Sequence, residues 1–228
     1  MKNDPDSIIK LFDNSPETLR GASDKESLES YAREMLFHIR CNSIRTAPYK
    51  VLEIGCGDGL MTAALHEMMP HSEFSLMDVC PTLIRQAMRN NPKIKNYIIA
   101  DCKKEIPNDE SYDLIISWGL AQYLSHKEFI DMNNMFLKRL SGIGKIMHFS
   151  IPNEFKRYDH TMKERKSILS KTKGLIKYQI ESMTGRYGPQ AIWHSPSKIM
   201  KDLREFFQIN ICDGDVDYRF HLVIRPWE

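Results

Sequence analysis

Short apolar segments and helix-compatible segments alternate along the first two thirds of the chain. The apolar segments lack a strict polar–apolar alternation, which is typical of parallel strands covered on both faces of a sheet. The pattern predicts strands over residues 49–54, 74–78, 97–100, 112–118 and 145–151, and helices over residues 61–69, 84–90 and 128–140. An amphipathic helix over residues 23–43 precedes them, with apolar residues at three- and four-residue steps. This order indicates a doubly wound α/β sheet.

The alternation stops after residue 153 and resumes near the end of the chain. A helix over residues 197–206 is followed by two strands, 207–212 and 218–225, which predict an antiparallel hairpin at the sheet edge. We therefore expect a mainly parallel seven-stranded sheet with an antiparallel terminal strand and a helical insertion after the fifth strand. The predicted divisions are an N-terminal helical segment, a ligand-binding core, an inserted cap and a final helix with its hairpin, over residues 1–47, 48–153, 154–196 and 197–228.

Composition excludes a fibrous or disordered chain, since 42% of the 228 residues are hydrophobic and the mean hydropathy is −0.44. The chain shows neither a signal-peptide pattern nor an apolar run of about 18 residues, so we expect a cytoplasmic protein. Its five cysteines are an odd number without a Cys-x-x-Cys pair, which favours reduced thiols. No His, Asp or Glu cluster has the spacing of metal ligands, so no metal is expected.

Positive charge is concentrated in one segment, although the whole chain has a net charge of only +2. Residues 154–204 contain twelve Lys and Arg against five Asp and Glu, a net of +7. An insertion after the fifth strand would lie over the carboxyl ends of the strands, where ligands bind in open α/β folds. A basic, aromatic cap there would suit an anionic acceptor, and an amphipathic helix on an anionic membrane is the alternative. The candidate acceptor-binding residues of this cap are Arg157, Tyr158, Arg186 and Trp193.

A glycine-rich turn, Glu53-Ile54-Gly55-Cys56-Gly57-Asp58-Gly59, lies where the first strand should pass into the first core helix. Alternate glycines let the backbone turn sharply and let a ligand approach closely. The turn is neither a P-loop nor a dinucleotide fingerprint, because no Gly-Lys-Ser/Thr follows and the third glycine comes one residue early. Because the preceding carboxylate would repel a pyrophosphate, the turn favours a ligand with an amino-acid head.

Two further acids end the next two strands. Asp78 follows the second strand, where a carboxylate can accept both hydroxyls of a ribose, and Asp101 follows the third, where it or the Cys102 amide could meet an adenine edge. Asp78 could instead cap the next helix. The carboxyl ends of neighbouring parallel strands share one sheet edge, so these contacts would lie side by side.

Taken together, these motifs resemble those of the class I S-adenosylmethionine-dependent methyltransferases, in particular the small-molecule branch. The resemblance implies a Rossmann-like methyltransferase fold with S-adenosyl-L-methionine as cofactor. It also implies that the glycine turn frames the methionine part, Asp78 the ribose and Val79 the adenine, and that Ser117 and Trp118 line the methyl-transfer site. The cofactor-binding residues implied are Glu53, Gly55, Cys56, Gly57, Gly59, Asp78, Val79, Asp101, Cys102, Ser117, Trp118 and Tyr31, the last from a helix closing over the cofactor.

This sequence departs from the family pattern after the fourth strand. Many small-molecule members have Leu-x-His there, whereas this chain has Leu120-Ala121-Gln122. The general base is therefore unassigned, and we expect His194 or His160 of the basic insertion, if a base is needed. Tyr123 and Trp118 are expected to shape the acceptor pocket, although a core role is open for both.

The sequence thus predicts methyl transfer to an oxygen of a small acceptor that is anionic or contains a sugar. Two alternatives remain open at this point. One is an RNA-directed methyltransferase that uses the basic insertion as a phosphate clamp, against which the near-neutral net charge argues. The other is a non-catalytic binding or partner subunit that retains the fold, with or without the cofactor. The oligomeric state is not predicted.

Overall fold

The sheet and its helices are defined in a computed structural model that describes residues 9–10, 25–42, 49–104, 110–158, 160, 172–173, 176, 191–204, 207–214 and 218–227. The helices are α1 (Lys25–Cys41), α2 (Leu60–Met68), α3 (Pro81–Asn90), α4 (His126–Leu137) and α5 (Pro196–Leu203). The strands are β1 (Lys50–Ile54), β2 (Glu73–Asp78), β3 (Asn96–Ile99), β4 (Tyr112–Trp118), β5 (Leu140–Pro152), β6 (Phe207–Asp213) and β7 (Arg219–Pro226). One-turn 3₁₀ helices span Ala121–Tyr123 and Glu154–Lys156.

The seven strands form one sheet in the order β3-β2-β1-β4-β5-β7-β6. Strands β1 to β5 are parallel, while β7 runs antiparallel to both β5 and β6 and lies between them. The predicted α/β fold with an antiparallel terminal strand is therefore confirmed. The hairpin of β6 and β7 joins the sheet through its second strand, which leaves β6 at the edge.

Two apolar layers cover the two faces of the sheet. Neighbouring positions of β4 alternate between them, because successive side chains of a strand point to opposite faces. Leu114 and Ile116 pack in the layer that contains α1, α2 and α3, whereas Ile115 packs in the layer that contains α4 and α5. Both faces of the parallel strands are thus buried, as their continuous apolar runs predict.

Several helices begin at other residues than the sequence pattern predicts, because capping residues or prolines set their first turn. Helix α4 begins at His126 because Ser125 caps it, with the reciprocal Ser125–Glu128 capping box present. Helices α3 and α5 both begin at a proline, which suits the first helical position because its missing N–H has no partner there anyway. Among the described helices, none has the length and apolar character needed to cross a membrane.

A buried polar triad joins β4, β5 and α4. The Asn133 amide donates to the Phe129 carbonyl at 2.8 Å, so its Oδ1 faces His148 Nε2, also at 2.8 Å. His148 Nε2 therefore carries the proton, and Nδ1 accepts from the Ser117 hydroxyl at 2.7 Å. Burial lowers the pKa of His148 to about 3, so the ring is neutral. The Ser117 side chain, expected at the cofactor, is instead bonded inside the core, which leaves only its backbone for the sheet edge.

We expect Ser117→Ala to lower the free energy of unfolding by about 1–3 kcal/mol, because the buried His148 Nδ1 would lose the hydroxyl that donates to it. The affinity for S-adenosylhomocysteine should not change. Urea denaturation and calorimetry measure the two quantities, and Ser111→Ala, at an exposed position just before β4, is the matched control. A weakened ligand affinity with unchanged stability would instead place the hydroxyl at the cofactor.

Candidate cofactor and acceptor site

Two glycines of the turn between β1 and α2, Gly57 and Gly59, have different surroundings. Gly59 has φ +73°, and a Cβ added there would lie 2.5 Å from Asn91 Nδ2 and 3.0 Å from Ala87 Cβ. Gly57 has φ +58°, but a Cβ added there would meet no atom of the described residues within 4 Å. Gly59 is therefore required by the close packing of the turn against α3. Gly57 faces open space at the carboxyl edge of the sheet, where a ligand can approach the backbone.

The end of β2 holds the turn in place. The Met77 carbonyl accepts the N–H groups of Gly55 and Cys56 at 2.7 and 3.0 Å. Asp78 accepts the Gly57 N–H at 2.9 Å through one carboxylate oxygen and the Cys80 N–H at 2.9 Å through the other. Burial raises the pKa of Asp78, while these backbone donors oppose that shift. Asp78 is thus fixed beside the turn and retains lone pairs for further donors.

Glu53 is buried at the end of β1, beneath the turn. The Thr62 hydroxyl, in the first turn of α2, donates to its carboxylate at 2.5 Å. Burial raises the pKa of Glu53 to about 7, and the nearby carboxylates of Asp78 and Asp58 add to the rise, while the Thr62 hydrogen bond opposes it. Glu53 can therefore change protonation state near neutral pH when a ligand alters its surroundings. Thr62 was not identified from the sequence.

Asp101 follows β3 at the same edge. One of its oxygens accepts the Lys103 N–H at 3.0 Å, and the other is buried without a hydrogen-bond partner in the described part of the chain, with Lys104 Nζ 3.7 Å away. That oxygen is therefore an acceptor whose hydrogen-bonding capacity the described residues do not use. Burial raises the pKa of the neighbouring Cys102 thiol to about 12, so this cysteine is not a nucleophile at neutral pH.

The pKa of Cys56 is likewise raised well above its usual value by burial and nearby carboxylates. Val79 is half-buried directly after Asp78. The predicted cofactor residues of the first three strand ends are therefore brought to one edge of the sheet. At this edge, carboxylate acceptors lie on both sides of the glycine turn, and there is open space beside the turn's backbone. These groups and this space fit S-adenosylmethionine.

Aromatic side chains follow at the end of β4. The Trp118 ring lies 4.8 Å from that of Tyr31 in α1 and 6.5 Å from that of Phe149 in β5, measured between ring centroids. The glycine turn reaches the same place, because a Cβ added to Gly55 would lie 2.9 Å from Leu120 Cδ1. Helix α1, the glycine turn and the end of β4 therefore meet at one corner of the site.

A polar chain continues from this corner towards β7. Arg219 donates to the Gln122 side-chain oxygen at 3.2 Å and to the Ser150 carbonyl at 2.6 Å. Gln122 is in turn hydrogen-bonded to the Tyr123 side chain. Burial raises the pKa of Tyr123, and the positive charge of Arg219 partly opposes this, so the phenol is protonated at neutral pH. Gln122, the departure from the family pattern, thus joins Tyr123 to an arginine from the last strand.

Ser150 adopts φ +62°, the one positive φ of a non-glycine residue within the described ranges. Its N–H donates to His221 Nδ1 at 3.1 Å, and His221 Nε2 lies 2.6 Å from Glu34 Oε1. Because Nδ1 accepts, Nε2 carries the proton and donates it to Glu34. Glu34, His38 and His221 bring potential metal-ligand atoms within 4.8 Å of one another. The hydrogen bonds account for the pair of His221 and Glu34 without an ion.

The structure corrects the expectation that His194 faces an acceptor. Its ring is 1% exposed and packs against Phe129, with Nε2 2.8 Å from the Ala121 carbonyl. Burial lowers the pKa of His194 to about 4. A buried, neutral imidazole that already donates to a backbone carbonyl is out of reach of a substrate, so His194 is a structural residue.

The other residues predicted in the cap have different surroundings. His160, Trp193 and Tyr218 form an aromatic cluster, with ring centroids 4.1 Å apart for His160 and Tyr218 and 5.4 Å apart for His160 and Trp193. Arg157 is buried rather than open to a ligand, whereas Tyr158 is 44% exposed. Arg186 lies outside the described residues.

Sequence reasoning missed Arg219 and Tyr218. They stand at the start of a strand predicted only as part of an edge hairpin, and Arg219 is 97 residues from Gln122. The one available signal was Gln122 itself, an amide where the family often has an imidazole. The Gln122 amide, which stands where the family often has a histidine, accepts a hydrogen bond from Arg219.

Known proteins share both the sequence core and the fold. Residues 51–141 match the family model described as a methyltransferase domain. The malonyl-[acyl-carrier protein] O-methyltransferase of Anoxybacillus flavithermus is 34% identical over 121 residues, which cover 52% of this chain and 46% of that protein. The chain spans about half or less of the length of the curated relatives it matches.

Solved structures extend the likeness to most of the chain. The PH0226 protein of Pyrococcus horikoshii superposes with a TM-score of 0.68 at 13% identity and covers 96% of this chain and 99% of its own. The N-methyltransferase NodS of Bradyrhizobium japonicum, crystallised with S-adenosyl-L-homocysteine, has a TM-score of 0.57 at 18% identity and covers 86% of this chain and 87% of its own. At these identities the likeness is one of fold. Residues 51–141 are therefore similar in sequence to a methyltransferase domain, and the chain has the fold of these solved structures.

Proposed function

We propose that this chain transfers a methyl group from S-adenosylmethionine to an oxygen of a small acceptor, and that the oxygen is anionic. When bound, the cofactor supplies a methyl group that is already activated by its sulfonium. The protein then has to align the acceptor and manage any proton that the acceptor carries. Glu53, Gly57, Asp78 and Asp101 are the residues that would hold the cofactor.

The observation that carries this proposal is the protonation state of the side chains near the end of β4. Tyr123 keeps its proton because its pKa is raised, and His194 is buried with a pKa of about 4. Neither can take a proton from a hydroxyl acceptor at neutral pH. An anionic oxygen has no proton to lose, so a site that aligns it without a base is sufficient. For a sugar hydroxyl, His160 stays the candidate base.

The relatives support the same chemistry. Several of them are named malonyl-[acyl-carrier protein] O-methyltransferases, a name that describes transfer to an oxygen of an acid-bearing acyl group. For this chain we propose the class of acceptor only, a small molecule or a carrier-linked acyl group with a free anionic oxygen. The identity of the carrier does not enter the proposal.

We also propose that the predicted divisions of the chain are functional ones. Tyr31 of α1 packs against Trp118, which supports an N-terminal segment covering the cofactor. The end of the 154–196 insertion returns to the carboxyl edge, where the Ile192 N–H donates to the Gln122 carbonyl at 2.7 Å. This contact supports a cap over the acceptor side. Residues 161–171, 174–175 and 177–190 of that cap, which include most of its basic residues, lie outside the described residues.

The number of protons released for each methyl transferred tests the proposed acceptor chemistry. Transfer to a carboxylate releases none, because a sulfonium cation and an anion become two neutral groups, whereas transfer to a hydroxyl releases one. The protein is incubated with S-adenosylmethionine and either malonyl-coenzyme A or fractionated metabolites in weak buffer with a pH indicator, and the product is identified by mass spectrometry.

We expect an O-methyl ester with no proton released. One proton per methyl would identify a hydroxyl acceptor, and an N- or C-methylated product would overturn the proposal. The Gly57→Ala variant serves as the control for transfer that does not use the proposed cofactor site.

The two glycines should separate cofactor binding from folding. In Gly57→Ala the new methyl group enters the open space, so we expect an affinity for S-adenosylhomocysteine about tenfold or more weaker, at a stability cost of about 1–2 kcal/mol for the left-handed backbone. In Gly59→Ala the methyl group meets α3 as well, so the stability loss should reach about 2–4 kcal/mol.

Calorimetry and urea denaturation measure both effects in the same samples. Gly59→Ala is the matched control, because the chemical change and the backbone region are the same. Undiminished ligand affinity in Gly57→Ala would mean that the open space is occupied by solvent rather than by the cofactor.

The affinity for S-adenosylhomocysteine should depend on pH through Glu53. The free protein holds this carboxyl with a pKa of about 7, and a bound ammonium group would lower that pKa by favouring the charged form. Binding then releases a proton below pH 7, so we expect an affinity about tenfold weaker at pH 6 than at pH 8. Glu53→Gln should remove this dependence, and Glu73→Gln, at an exposed site on β2, should retain it. An identical pH profile in Glu53→Gln would exclude Glu53 as the titrating group.

A further inference from the structure

We infer that Arg219 is the residue that binds the acceptor, by holding a terminal carboxylate through its guanidinium group, and that Gln122 orients it for this purpose. The acceptor class is then an acyl or alkyl chain that ends in a free carboxylate. This inference rests on the proposed function and deepens it, since it names the group that the site recognises. It follows from the partners of Arg219, its position in the sheet and its unused donors.

The partners of Arg219 are all neutral within the described part of the chain. They are the Ser150 carbonyl, the Gln122 side-chain oxygen and the ring of Tyr218, whose centroid lies 5.5 Å from Arg219 Cζ. Among the described residues, no carboxylate lies within ion-pair distance of this guanidinium. A half-buried cation without a counterion loses hydration that it does not regain from a carboxylate. A ligand anion would supply the missing charge.

The described residues also use only part of the hydrogen-bonding capacity of Arg219. A guanidinium has five N–H donors, and the two contacts to Ser150 and Gln122 use two of them. The remaining three include pairs whose parallel geometry matches the two oxygens of a carboxylate. The two contacts are to groups fixed by the sheet and by the turn after β4. Arg219 is therefore pre-oriented, which lowers the entropy that binding would otherwise cost.

The position of Arg219 places it on the acceptor side of the cofactor site. Ser150 lies near the end of β5, Gln122 lies in the 3₁₀ helix four residues after the end of β4, and both are at the carboxyl edge of the sheet. The charge of Arg219 reaches Tyr123, which also responds to the charge of Asp78. Tyr123 is thus within electrostatic range of both the proposed ribose-binding acid and the proposed acceptor-binding arginine.

The chemistry balances without a further reactant. A carboxylate oxygen forms a bond to the methyl carbon, and the bond from that carbon to sulfur breaks with its electron pair remaining on sulfur. The acceptor loses its negative charge in this step, so the product ester no longer pairs with Arg219. The same contact that selects the acid would therefore release the ester.

The experiment measures binding without turnover. Wild-type protein saturated with S-adenosylhomocysteine is titrated by calorimetry with malonyl-, succinyl- and glutaryl-coenzyme A, and with acetyl-coenzyme A, which shares the carrier but lacks the terminal carboxylate. We expect at least one of the three acids to bind on the order of tenfold to a hundredfold more tightly than acetyl-coenzyme A. Equal affinities for all four ligands would overturn the inference.

Four variants locate the effect. Arg219→Gln should abolish the preference for the acid and Arg219→Lys should retain part of it, while Arg85→Gln, at an exposed site on α3, should leave it unchanged. Gln122→Glu would place a carboxylate against Arg219 and should also abolish the preference, although the guanidinium remains. An undiminished preference in Arg219→Gln or in Gln122→Glu would contradict the assignment.

Two controls separate this inference from its alternatives. Melting temperature and affinity for S-adenosylhomocysteine are measured for every variant, and the acid preference is judged from those variants, of Arg219 or of Gln122, that retain both. Methylation of an oxygen in a compound without a carboxylate would sink the inference and leave the proposed function standing. Absence of any O-methylated product, with the carboxylate preference intact, would contradict the proposed function alone.

Discussion

The hydrogen bond from the Gly57 N–H to the Asp78 carboxylate joins the two strand ends on which the cofactor side of the site depends. A buried carboxylate needs donors to offset the loss of water, and here the donors are backbone N–H groups of the glycine turn and of Cys80. The turn must therefore approach β2 closely, which its glycines allow. In return, the carboxylate holds the turn open beside the space that a ligand would occupy.

Sheet topology places the two halves of the site on either side of one crevice. The chain passes from β1 outward to β2 and β3, and then crosses back to add β4 on the other side of β1. Such a reversal of strand order opens a crevice at the carboxyl ends of the strands. The glycine turn after β1 and Leu120 after β4 meet there. Acids that fit the cofactor therefore lie on the β1 to β3 side, and groups that fit the acceptor lie on the β4, β5 and β7 side.

The fold and the position of the strand-end acids at one sheet edge were predictable from sequence because they depend on local patterns. Apolar runs predicted the strands, and Asp78 and Asp101 were identified because a residue that ends a parallel strand must lie at the common edge. The acceptor side depends on contacts between distant parts of the chain. His194 lies in a basic, aromatic segment that suggests a ligand, yet its ring is buried against Phe129, and burial of a loop histidine has no signature in the local sequence.

Arg219 was missed for the same reason, and its place follows from the one antiparallel strand in contact with β5. A further parallel strand would bring its carboxyl end to the ligand edge, whereas β7 brings its amino end there. Arg219 and His221, two positions apart on the same face of β7, then bracket Ser150, one at its carbonyl and the other at its N–H.

A non-glycine residue at positive φ, here Ser150, costs about 1–2 kcal/mol, and these two bonds offset that cost. The same hydrogen bonds therefore hold the strained bulge in β5 and orient the Arg219 side chain. His221 also donates a hydrogen bond to Glu34 of α1, the helix whose Tyr31 ring packs against Trp118 at the end of β4.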